Sequence, residues 1–448
     1  MKQILFFIVC FFSMVSMGMA MESTLTVPEG RLTLEEAFTR ALGKNPGILQ
    51  AKERIEAAGA VLKQAKSAYL PTVSATAASK SIDATVQPDW KSELRMSDSF
   101  KESSAGINLT WLLFDGFSRK ANTLAALHGI EMQKQVLLES RRLLLRAVAT
   151  AFYQAQLAVE GMVVAKQNQQ FNQTLEKDAR IKWEVGTVAE AEMLNFSVKA
   201  LQAESDFLTA EQDFKIVGTA LAQLMALPGA EFTQELYPVR QTNRIESPLA
   251  TFDEDYRFAM ANRPDLNSLD KGVLAKKQVL RAEKGGYLPK VAMVSGVDYL
   301  YQDGITSSDP AEIQEENDSY VGMVASWDIY TGGLRRGKIE EINADIRVLG
   351  HQREELCLSI ASAIRESRDR AETAFANYRR QKRTLELTQR IREHVEMAYR
   401  AGTLPLTRLN EAQTDLVRAS GAVELTWIQY RIALVNLAAE TGRIDTLP

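Results

Sequence analysis

The segment of this chain closest to a recognised chemical motif is glycine-rich and runs from Gly332 to Lys338. Its spacing matches the first part of a phosphate-binding loop, in which backbone amides and a lysine hold nucleotide phosphates. Ile339 stands where such a loop needs a serine or threonine for magnesium. The preceding residues also alternate, whereas the buried strand before such a loop is continuously apolar. We therefore do not interpret this segment as a nucleotide site.

The sequence also gives no clear indication of a metal site or of acid–base catalysis. The three histidines, His128, His351 and His394, do not stand near one another at a metal-binding spacing. Acidic residues crowd one polar segment without the spacing or the glycine of a calcium-binding loop. They are Asp303, Asp309, Glu312, Glu315, Glu316 and Asp318. We expect this segment to be a solvated loop, and we predict no catalytic residue, no metal and no cofactor.

The composition favours a chain built mostly from extended helices. It has 448 residues but only 12 prolines, with long Ala-, Gln-, Glu-, Leu- and Arg-rich stretches. The formal net charge of −4 argues against nucleic acid as a partner. Of the two cysteines, Cys10 lies in the N-terminal apolar run, so Cys357 has no intrachain disulfide partner in the mature chain.

The N-terminus has the pattern of a secretory signal peptide. Lys2 precedes a short apolar run over residues 4–12, and Gly18-Met19-Ala20 resembles a small-x-small cleavage site. We predict a signal peptide over residues 1–20 and an exported mature chain. No later apolar run approaches the ~18 residues of a spanning helix. If the mature chain enters a membrane, we expect it to do so as a β-barrel.

The chain also repeats itself at a nearly constant offset. Tyr69-Leu70-Pro71 recurs as Tyr287-Leu288-Pro289, and Gly186-Thr187 recurs as Gly402-Thr403. Trp111 and Trp327 keep the same offset within two residues. We predict a duplication, with one repeat over residues 21–227, a proline-punctuated linker over 228–251 and a second repeat over 252–448.

Each repeat contains two segments that alternate between polar and apolar residues as strands do. Residues 104–114 and 319–330 alternate most clearly, and residues 71–80 and 290–301 fit as their hairpin partners. Their lengths suit tilted membrane strands. Four strands in lipid would leave two unpaired edges, so two, three or four copies would have to share a barrel of eight, twelve or sixteen strands.

Long helices follow each hairpin. Residues 117–183 contain no proline, and a run at coiled-coil spacing predicts a packed seam. That run is Leu138, Leu145, Val148, Phe152, Ala155, Val159 and Met162. A second stripe is predicted on the last helix, at Leu416, Ala419, Val423, Trp427, Tyr430, Leu434 and Leu437. Gly186 and Gly402 break the long runs at equivalent places and indicate sharp turns at the tips of two helical hairpins.

Taken in order and twice over, these features resemble the TolC-like outer-membrane efflux protein family. They are the Tyr-Leu-Pro before each first strand, Phe114-Asp115-Gly116 with its echo Tyr330-Thr331-Gly332, and the Gly-Thr tips. The resemblance implies a mainly α fold with a membrane β-barrel. It implies a homotrimer that shares a twelve-stranded β-barrel, continued by a long α-helical, coiled-coil barrel through the periplasm. The family serves as exit ducts for inner-membrane pumps, reached through periplasmic adaptor proteins, in tripartite efflux or type I secretion.

The resemblance also assigns roles to the tips. Adaptor contacts in the family map onto Val185, Gly186, Thr187, Ala401, Gly402 and Thr403. The family often carries acids shortly after both tips. Here Glu192 follows the first tip, but Arg408 stands at the equivalent place after the second. We hypothesise a ring of alternating Glu192 and Arg408 that closes a periplasmic gate, with Tyr399 and Glu411 nearby.

One alternative from another class stays open: an exported periplasmic coiled-coil scaffold with a small soluble sheet. It predicts a product that needs no detergent, whereas the duct predicts fractionation with the outer membrane. The transported substrate, the pump class and the adaptor are not encoded in any residue pattern that we recognise.

Overall fold

The computed structural model of the chain describes residues 31–86, 96–232, 235–236, 249–305 and 312–444. The predicted signal peptide, and most of the predicted linker, fall outside these ranges. Within them, no helix combines the length and the apolar character needed to cross a membrane.

Helices and strands follow one another in the same order in both halves of the chain. The first half contains β1 (Arg31–Leu32), α1 (Leu34–Lys44), α2 (Pro46–Ser67), β2 (Thr72–Val86), β3 (Met96–Phe114), α3 (Ser118–Glu184) and α4 (Glu190–Leu224). The second contains β4 (Glu235–Leu236), α5 (Phe252–Asn262), α6 (Pro264–Gly285), β5 (Lys290–Ile305), β6 (Glu312–Ser326), α7 (Leu334–Arg400) and α8 (Leu406–Thr441). Corresponding helices have equal or nearly equal lengths: α3 and α7 each have 67 residues, and α4 and α8 have 35 and 36.

Local sequence explains why the short helices begin where they do. Thr33 and Thr251 cap α1 and α5, and each accepts a hydrogen bond from the backbone amide of a glutamate three residues on. The two threonine amides in turn donate hydrogen bonds to the glutamate carboxylates, which completes a capping box at both sites. The helices α2 and α6 both begin with a proline, whose fixed φ suits the first helical position.

The strands β2, β3, β5 and β6 form one antiparallel sheet in that order. They run further into the hairpin connections than the alternation predicts, since β2 extends to Val86 and β3 starts at Met96. The expected acidic loop is therefore largely strand: Asp303 lies on β5, and Glu315, Glu316 and Asp318 lie on β6. Asp309 is outside the described residues. At the other end, β6 stops at Ser326, so residues 327–330 are not strand as predicted.

The two faces of this sheet differ sharply in polarity. Register places Val73, Ile107, Val297 and Val321 on one face, and each of these side chains is at least 59% exposed. The opposite face carries polar groups, where the Tyr320 hydroxyl donates a 2.8 Å hydrogen bond to Asn108 Oδ1. On that face a Lys80–Glu102 ion pair of 2.6 Å also joins β2 to β3. The sheet therefore exposes an apolar surface mainly on one side, where Ser295 stands between Leu109 and Val321.

The long helices pack into a layer with α3 at its centre. In the half nearer the helical tips, α3 packs against α4 and α8, and α8 packs against α7, so the order is α4–α3–α8–α7. Most of the predicted α3 seam is buried, including Val148, Phe152 and Ala155, but Leu138 is exposed. The predicted α8 stripe has five buried members, Ala419, Val423, Trp427, Tyr430 and Leu437.

Buried ion pairs fasten the short helices of the second half to the long ones. Asp255 on α5 is only 2% exposed and accepts hydrogen bonds from Arg368 on α7 (3.0 Å) and from Arg443 after α8 (2.8 Å). Arg263, at the start of α6, binds both Asp265 and Glu440 of α8. Because an unpaired buried charge is costly, these contacts fix the base of the α7–α8 hairpin.

The junctions between helix and strand have the same construction in both halves. The indole Nε1 of Trp111 donates to the main-chain oxygen of Tyr69 (2.9 Å), and Trp327 does the same to Tyr287 (3.1 Å). The Arg119 guanidinium lies 4.9 Å from the centre of the Tyr69 ring. In the second half, the Arg335 guanidinium lies 5.0 Å from the centre of the Tyr287 ring. The repeated Tyr-Leu-Pro sequence thus marks the corner where each helix turns into its first strand.

Candidate functional site

The first helical tip is a glycine turn at the end of α3. Gly186 has a φ of +74°, in the left-handed region that favours glycine. Its amide donates to Trp183 O (2.8 Å), and the Thr187 amide donates to Lys182 O (2.8 Å), which is the Schellman pattern. The Thr187 hydroxyl adds a 2.8 Å hydrogen bond to the same Lys182 oxygen. The Gly-Thr pair therefore closes the helix end with its own backbone and side chain.

The second tip, at the end of α7, has the same geometry. Gly402 also has a φ of +74°. Its amide donates to Tyr399 O (2.9 Å), and the Thr403 amide and hydroxyl donate to Ala398 O at 3.0 and 2.9 Å. A Cβ added at either glycine would meet nothing within 4 Å, so the space beside both turns is open.

The tips combine a packed interior with an exposed apolar rim. Inside, Phe196 of α4 and Leu406 and Leu409 of α8 are buried in one cluster with residues of α3 and α7. On the outside, Val185 is 68% and Met397 59% exposed. The six residues predicted to form the docking tips, 185–187 and 401–403, are all exposed. The structure thus presents two turns closed by backbone hydrogen bonds, with an accessible surface.

A hydrogen bond joins the two tips to each other. The ammonium of Lys182 on α3 donates 2.8 Å to the hydroxyl of Tyr399 on α7, and lies 5.1 Å from the centre of its ring. Tyr399 was predicted to lie at the gate, but Lys182 was not. Its only signal in the sequence is a basic residue in the last turn of a helix, which also suits the helix dipole. The bond places the two tips at the same level.

The charged residues predicted for the gate follow the tips. Arg408 Nη1 forms a 2.8 Å ion pair with Glu411 Oε2, one turn on along α8, and both side chains are more than half exposed. Glu192 lies half-buried in the first turn of α4. Within the described part of the chain, Arg408 thus pairs with Glu411 rather than with Glu192. Whether Glu192 meets Arg408 of another copy stays a prediction.

Arg408 and Glu411 also line a polar groove between α8 and the α3–α4 hairpin. Its volume is about 510 Å³, and its other walls include Asn172, Lys199 and Asp206. The described residues contain no cluster of three or more side chains of the types that hold metal ions. The groove is thus lined by side chains of both signs of charge.

An open sheet with an apolar face, set on four long helices with paired tips, has counterparts among known outer-membrane channels. Residues 37–227 match the family model described as outer membrane efflux protein. The chain is 24% identical over 432 residues to outer membrane efflux protein BepC of Brucella suis biovar 1 (strain 1330), an alignment that covers 94% of this chain and 88% of BepC.

Two further comparisons agree with that match. Outer membrane protein TolC of Escherichia coli (strain K12) is 20% identical over 424 residues, which cover 92% of this chain and 82% of TolC. The solved CmeC outer membrane channel of Campylobacter jejuni has the same fold, with a TM-score of 0.77 at 15% identity over 94% of this chain and 90% of CmeC. The resemblance to the TolC-like outer-membrane efflux proteins is therefore confirmed, and with it the location in the outer membrane.

Proposed function

We propose that the chain is the outer-membrane exit duct of a tripartite efflux or type I secretion system. It conducts substrates passively from an inner-membrane pump across the periplasm and the outer membrane. The observation that carries this proposal is the exposed apolar face of the four-stranded sheet, joined directly to helices of 67 residues. At 1.5 Å per residue such helices extend about 100 Å, which suits a passage through the periplasm.

The dimensions of the apolar face support insertion in lipid. Trp111 pairs with Met293 near the helical end of the sheet, and Tyr299 stands six residues further along β5 on the same face. At about 3.4 Å per residue the two aromatic levels are roughly 20 Å apart. An apolar band of this height between aromatic girdles is typical of outer-membrane strands.

The edges of the sheet support a shared barrel. Among the described residues, β2 pairs with β3 only and β6 with β5 only. In lipid such edges would leave backbone groups without partners, at a cost of several kcal/mol each. Pairing β6 of one copy with β2 of the next satisfies both edges. We propose a homotrimer, which gives twelve strands, and a helical barrel formed by the same three copies and derived from a duplicated repeat.

The tips are proposed to dock a periplasmic adaptor protein and, through it, an inner-membrane transporter. The open space beside Gly186 and Gly402 lets a partner helix approach the backbone closely. Glu192, Tyr399, Arg408 and Glu411 are proposed to form the periplasmic gate. In this view the chain binds no cofactor and performs no chemistry, so it is not an enzyme.

The test is the detergent-corrected mass of the complex extracted from outer membranes. Close to three chain masses supports the trimeric duct. A monomer or dimer that is soluble without detergent would contradict it and would favour the periplasmic coiled-coil scaffold. The exposed apolar face speaks against that scaffold, because a soluble sheet would place such residues in a core.

A further inference from the structure

Two glycines on the polar face of the sheet lie beneath side chains of neighbouring strands. Gly106 on β3 and Gly296 on β5 are both buried. A glycine in the interior of a strand weakens that strand, and it often marks a place where another group approaches the backbone closely. Each of the two glycines has such a group above it.

At Gly296 the approaching group is the ring of Tyr320. Register places the two residues directly opposite each other on β5 and β6. A Cβ added at Gly296 would lie 2.8 Å from the ring atoms Cε1 and Cζ of Tyr320, whereas carbon atoms in contact need about 3.5–4.0 Å. The ring therefore occupies the space that any other side chain at position 296 would fill. We refer to this space as the Gly296 notch.

The hydroxyl of Tyr320 reaches beyond Gly296 to the next strand. It donates its 2.8 Å hydrogen bond to Oδ1 of Asn108 on β3, which is the register partner of Gly296 on the other side. The same Asn108 oxygen would overlap a Cβ at Gly296. The tyrosine thus lies across three strands along the surface of the sheet and does not stand away from it.

The space above Gly106 is a second notch, in the next row of paired residues on the same face. A Cβ there would overlap Oδ1 of Asp298, the register partner of Gly106 on β5. On its other side Asp298 is paired with Asp318 of β6, and like charges directly opposite each other are destabilising. Because Asp298 leans over Gly106 toward β3, its carboxylate is held away from Asp318.

The posture of such side chains matters for the width of a barrel of the proposed size. Barrels of about eight strands are filled by their interior side chains, whereas barrels of roughly sixteen leave an aqueous channel. In the proposed twelve-stranded barrel, the polar face of the sheet lines the lumen. Three large side chains standing upright at one level would narrow this passage. The same side chains lying on the wall leave it open.

We propose that the notches at Gly296 and Gly106 set the bore of the barrel, and with it the size and charge of the solutes that pass, by holding Tyr320 and Asp298 against the wall. The two rows are adjacent, about 7 Å apart along the strands. This inference rests on the proposed duct. It adds a determinant of selectivity within the barrel, separate from the proposed gate at the helical tips.

The Gly296 notch is tested by labelling a cysteine placed behind it, in intact cells. Thr110 is exposed on the same face, one row nearer the helices than Asn108. In a Cys357→Ser background, Thr110→Cys is labelled with maleimides added outside the cell. The ratio of the labelling rates of a large polymer-linked maleimide and a small one reports the bore. Gly296→Ala should lower this ratio by about threefold or more, since three rings are displaced into the lumen.

The matched control is Gly322→Ala, which adds the same methyl group to the same face one row further in. Among the described residues, a Cβ there would meet Val294 alone, at 4.0 Å, so no side chain has to move. The ratio of labelling rates should stay unchanged in this control. An assembled Gly296→Ala protein with an unchanged ratio would overturn the inference.

Removal of the ring separates the effect of the notch from a general defect in folding. Tyr320→Ala added to Gly296→Ala should restore the ratio of labelling rates, because no ring is left to displace. If Gly296→Ala assembles poorly, the yield of trimers becomes the readout, and Tyr320→Ala should restore that yield. A defect that persists after removal of the ring would contradict the inference.

The Gly106 notch is tested by charge. Gly106→Ala should turn the Asp298 carboxylate into the lumen. The preference of Thr110→Cys for a cationic over an anionic thiol reagent should then rise by about twofold, since a carboxylate in the lumen attracts cations. Adding Asp298→Asn should remove that gain. An unchanged preference in Gly106→Ala would overturn the role of this notch.

The outcomes distinguish this inference from the function on which it rests. Trimers by mass with unaltered labelling in both Gly296→Ala and Gly106→Ala would overturn the notches and leave the duct intact. The absence of trimers by mass in the unchanged protein would overturn the proposed function itself.

Discussion

The ammonium of Lys182 donates a hydrogen bond of 2.8 Å to the hydroxyl of Tyr399, and so ties the end of α3 to the end of α7. The two residues are 217 positions apart in the chain. Each belongs to a different helical hairpin, so relative movement of the hairpins at their tips must break this bond. If the tips form the proposed periplasmic gate, this contact would hold the gate closed.

Replacement of Tyr399 by phenylalanine tests that role. The ring remains available to the Lys182 ammonium, but the hydroxyl acceptor is lost, which costs about 1 kcal/mol. We expect the ratio of closed to open channels to fall roughly fivefold, seen as a higher basal conductance in planar bilayers. Lys182→Met should have a similar effect, and the double variant should add little. Fully additive effects would mean that the two residues act separately.

The role of the tip glycines in forming the turns can be tested separately from their proposed role in adaptor docking. Gly186→Ala should lower the thermal midpoint, since a Cβ in the left-handed region costs about 1–2 kcal/mol. Gly186→Asn should be milder, because asparagine accepts this conformation. If the tip docks an adaptor, however, the asparagine variant should bind adaptor more weakly in a pull-down. Retained binding with Gly186→Asn and Gly402→Asn together would limit these glycines to a role in the turn.

The charge at the proposed gate predicts a change in conductance. Arg408→Glu removes the ion pair with Glu411 and makes the residues after both tips acidic. We expect a higher single-channel conductance and a stronger preference for cations, by roughly twofold to fivefold for loss of an exposed pair. Arg418→Glu, which breaks a similar pair with Asp415 further along α8, is the control. An unchanged conductance in Arg408→Glu would eliminate the latch of Glu192 and Arg408.

The base of the second hairpin depends on Asp255. Asp255→Asn leaves Arg368 and Arg443 facing a neutral partner in a buried place, and breaking such a pair costs about 3–5 kcal/mol. We expect a clear fall in the thermal midpoint of the detergent-solubilised protein. Asp253→Asn, at an exposed position on the same helix, should leave the thermal midpoint unchanged. Equal midpoints for the two variants would show that the buried pairs contribute nothing.

The contact between Arg263 and Asp265 predicts how stability changes in acid. Burial raises the pKa of Asp265, but the paired Arg263 guanidinium outweighs burial and holds that pKa below its usual value. The stabilisation is therefore present above the unfolded pKa of about 3.9 and is lost as pH falls through the folded pKa. Between about pH 5 and pH 2 the thermal midpoint should fall less steeply in Asp265→Asn than in the unchanged protein. Parallel slopes would contradict this assignment.

The long elements of the fold could be predicted from sequence alone, because their signals are local. A proline-free stretch over residues 117–183 becomes the helix Ser118–Glu184. The ends of the strands could not be predicted from the sequence. The alternation of polar and apolar residues fades where both faces of a hairpin meet water, but the backbone pairing of the two strands continues there. Leu138 fits the heptad spacing yet is exposed. Spacing alone does not tell which parts of a 67-residue helix meet a partner in the same chain.

Some residues of the candidate site could likewise be predicted from the sequence, and others could not. The Gly-Thr tips were found because a left-handed turn demands a particular residue. Lys182 was missed because its partner is brought near only by the pairing of two distant hairpins. The Arg408–Glu411 pair lies within one helix, at a spacing of three residues that the sequence displays. It competes with the predicted contact between Arg408 and Glu192, and the choice between them depends on neighbouring copies.

In the proposed barrel, the length of the strands determines how far the sheet extends beyond the membrane. A strand of 19 residues such as β3 runs for about 60 Å, whereas the apolar band occupies only a part of that length. The remainder, toward the hairpin turn, includes Lys101, Glu102 and Ser103. In the proposed barrel this outer part would rise from the lipid as a polar collar accessible from outside the cell. Intact cells should therefore be labelled at these positions without permeabilisation.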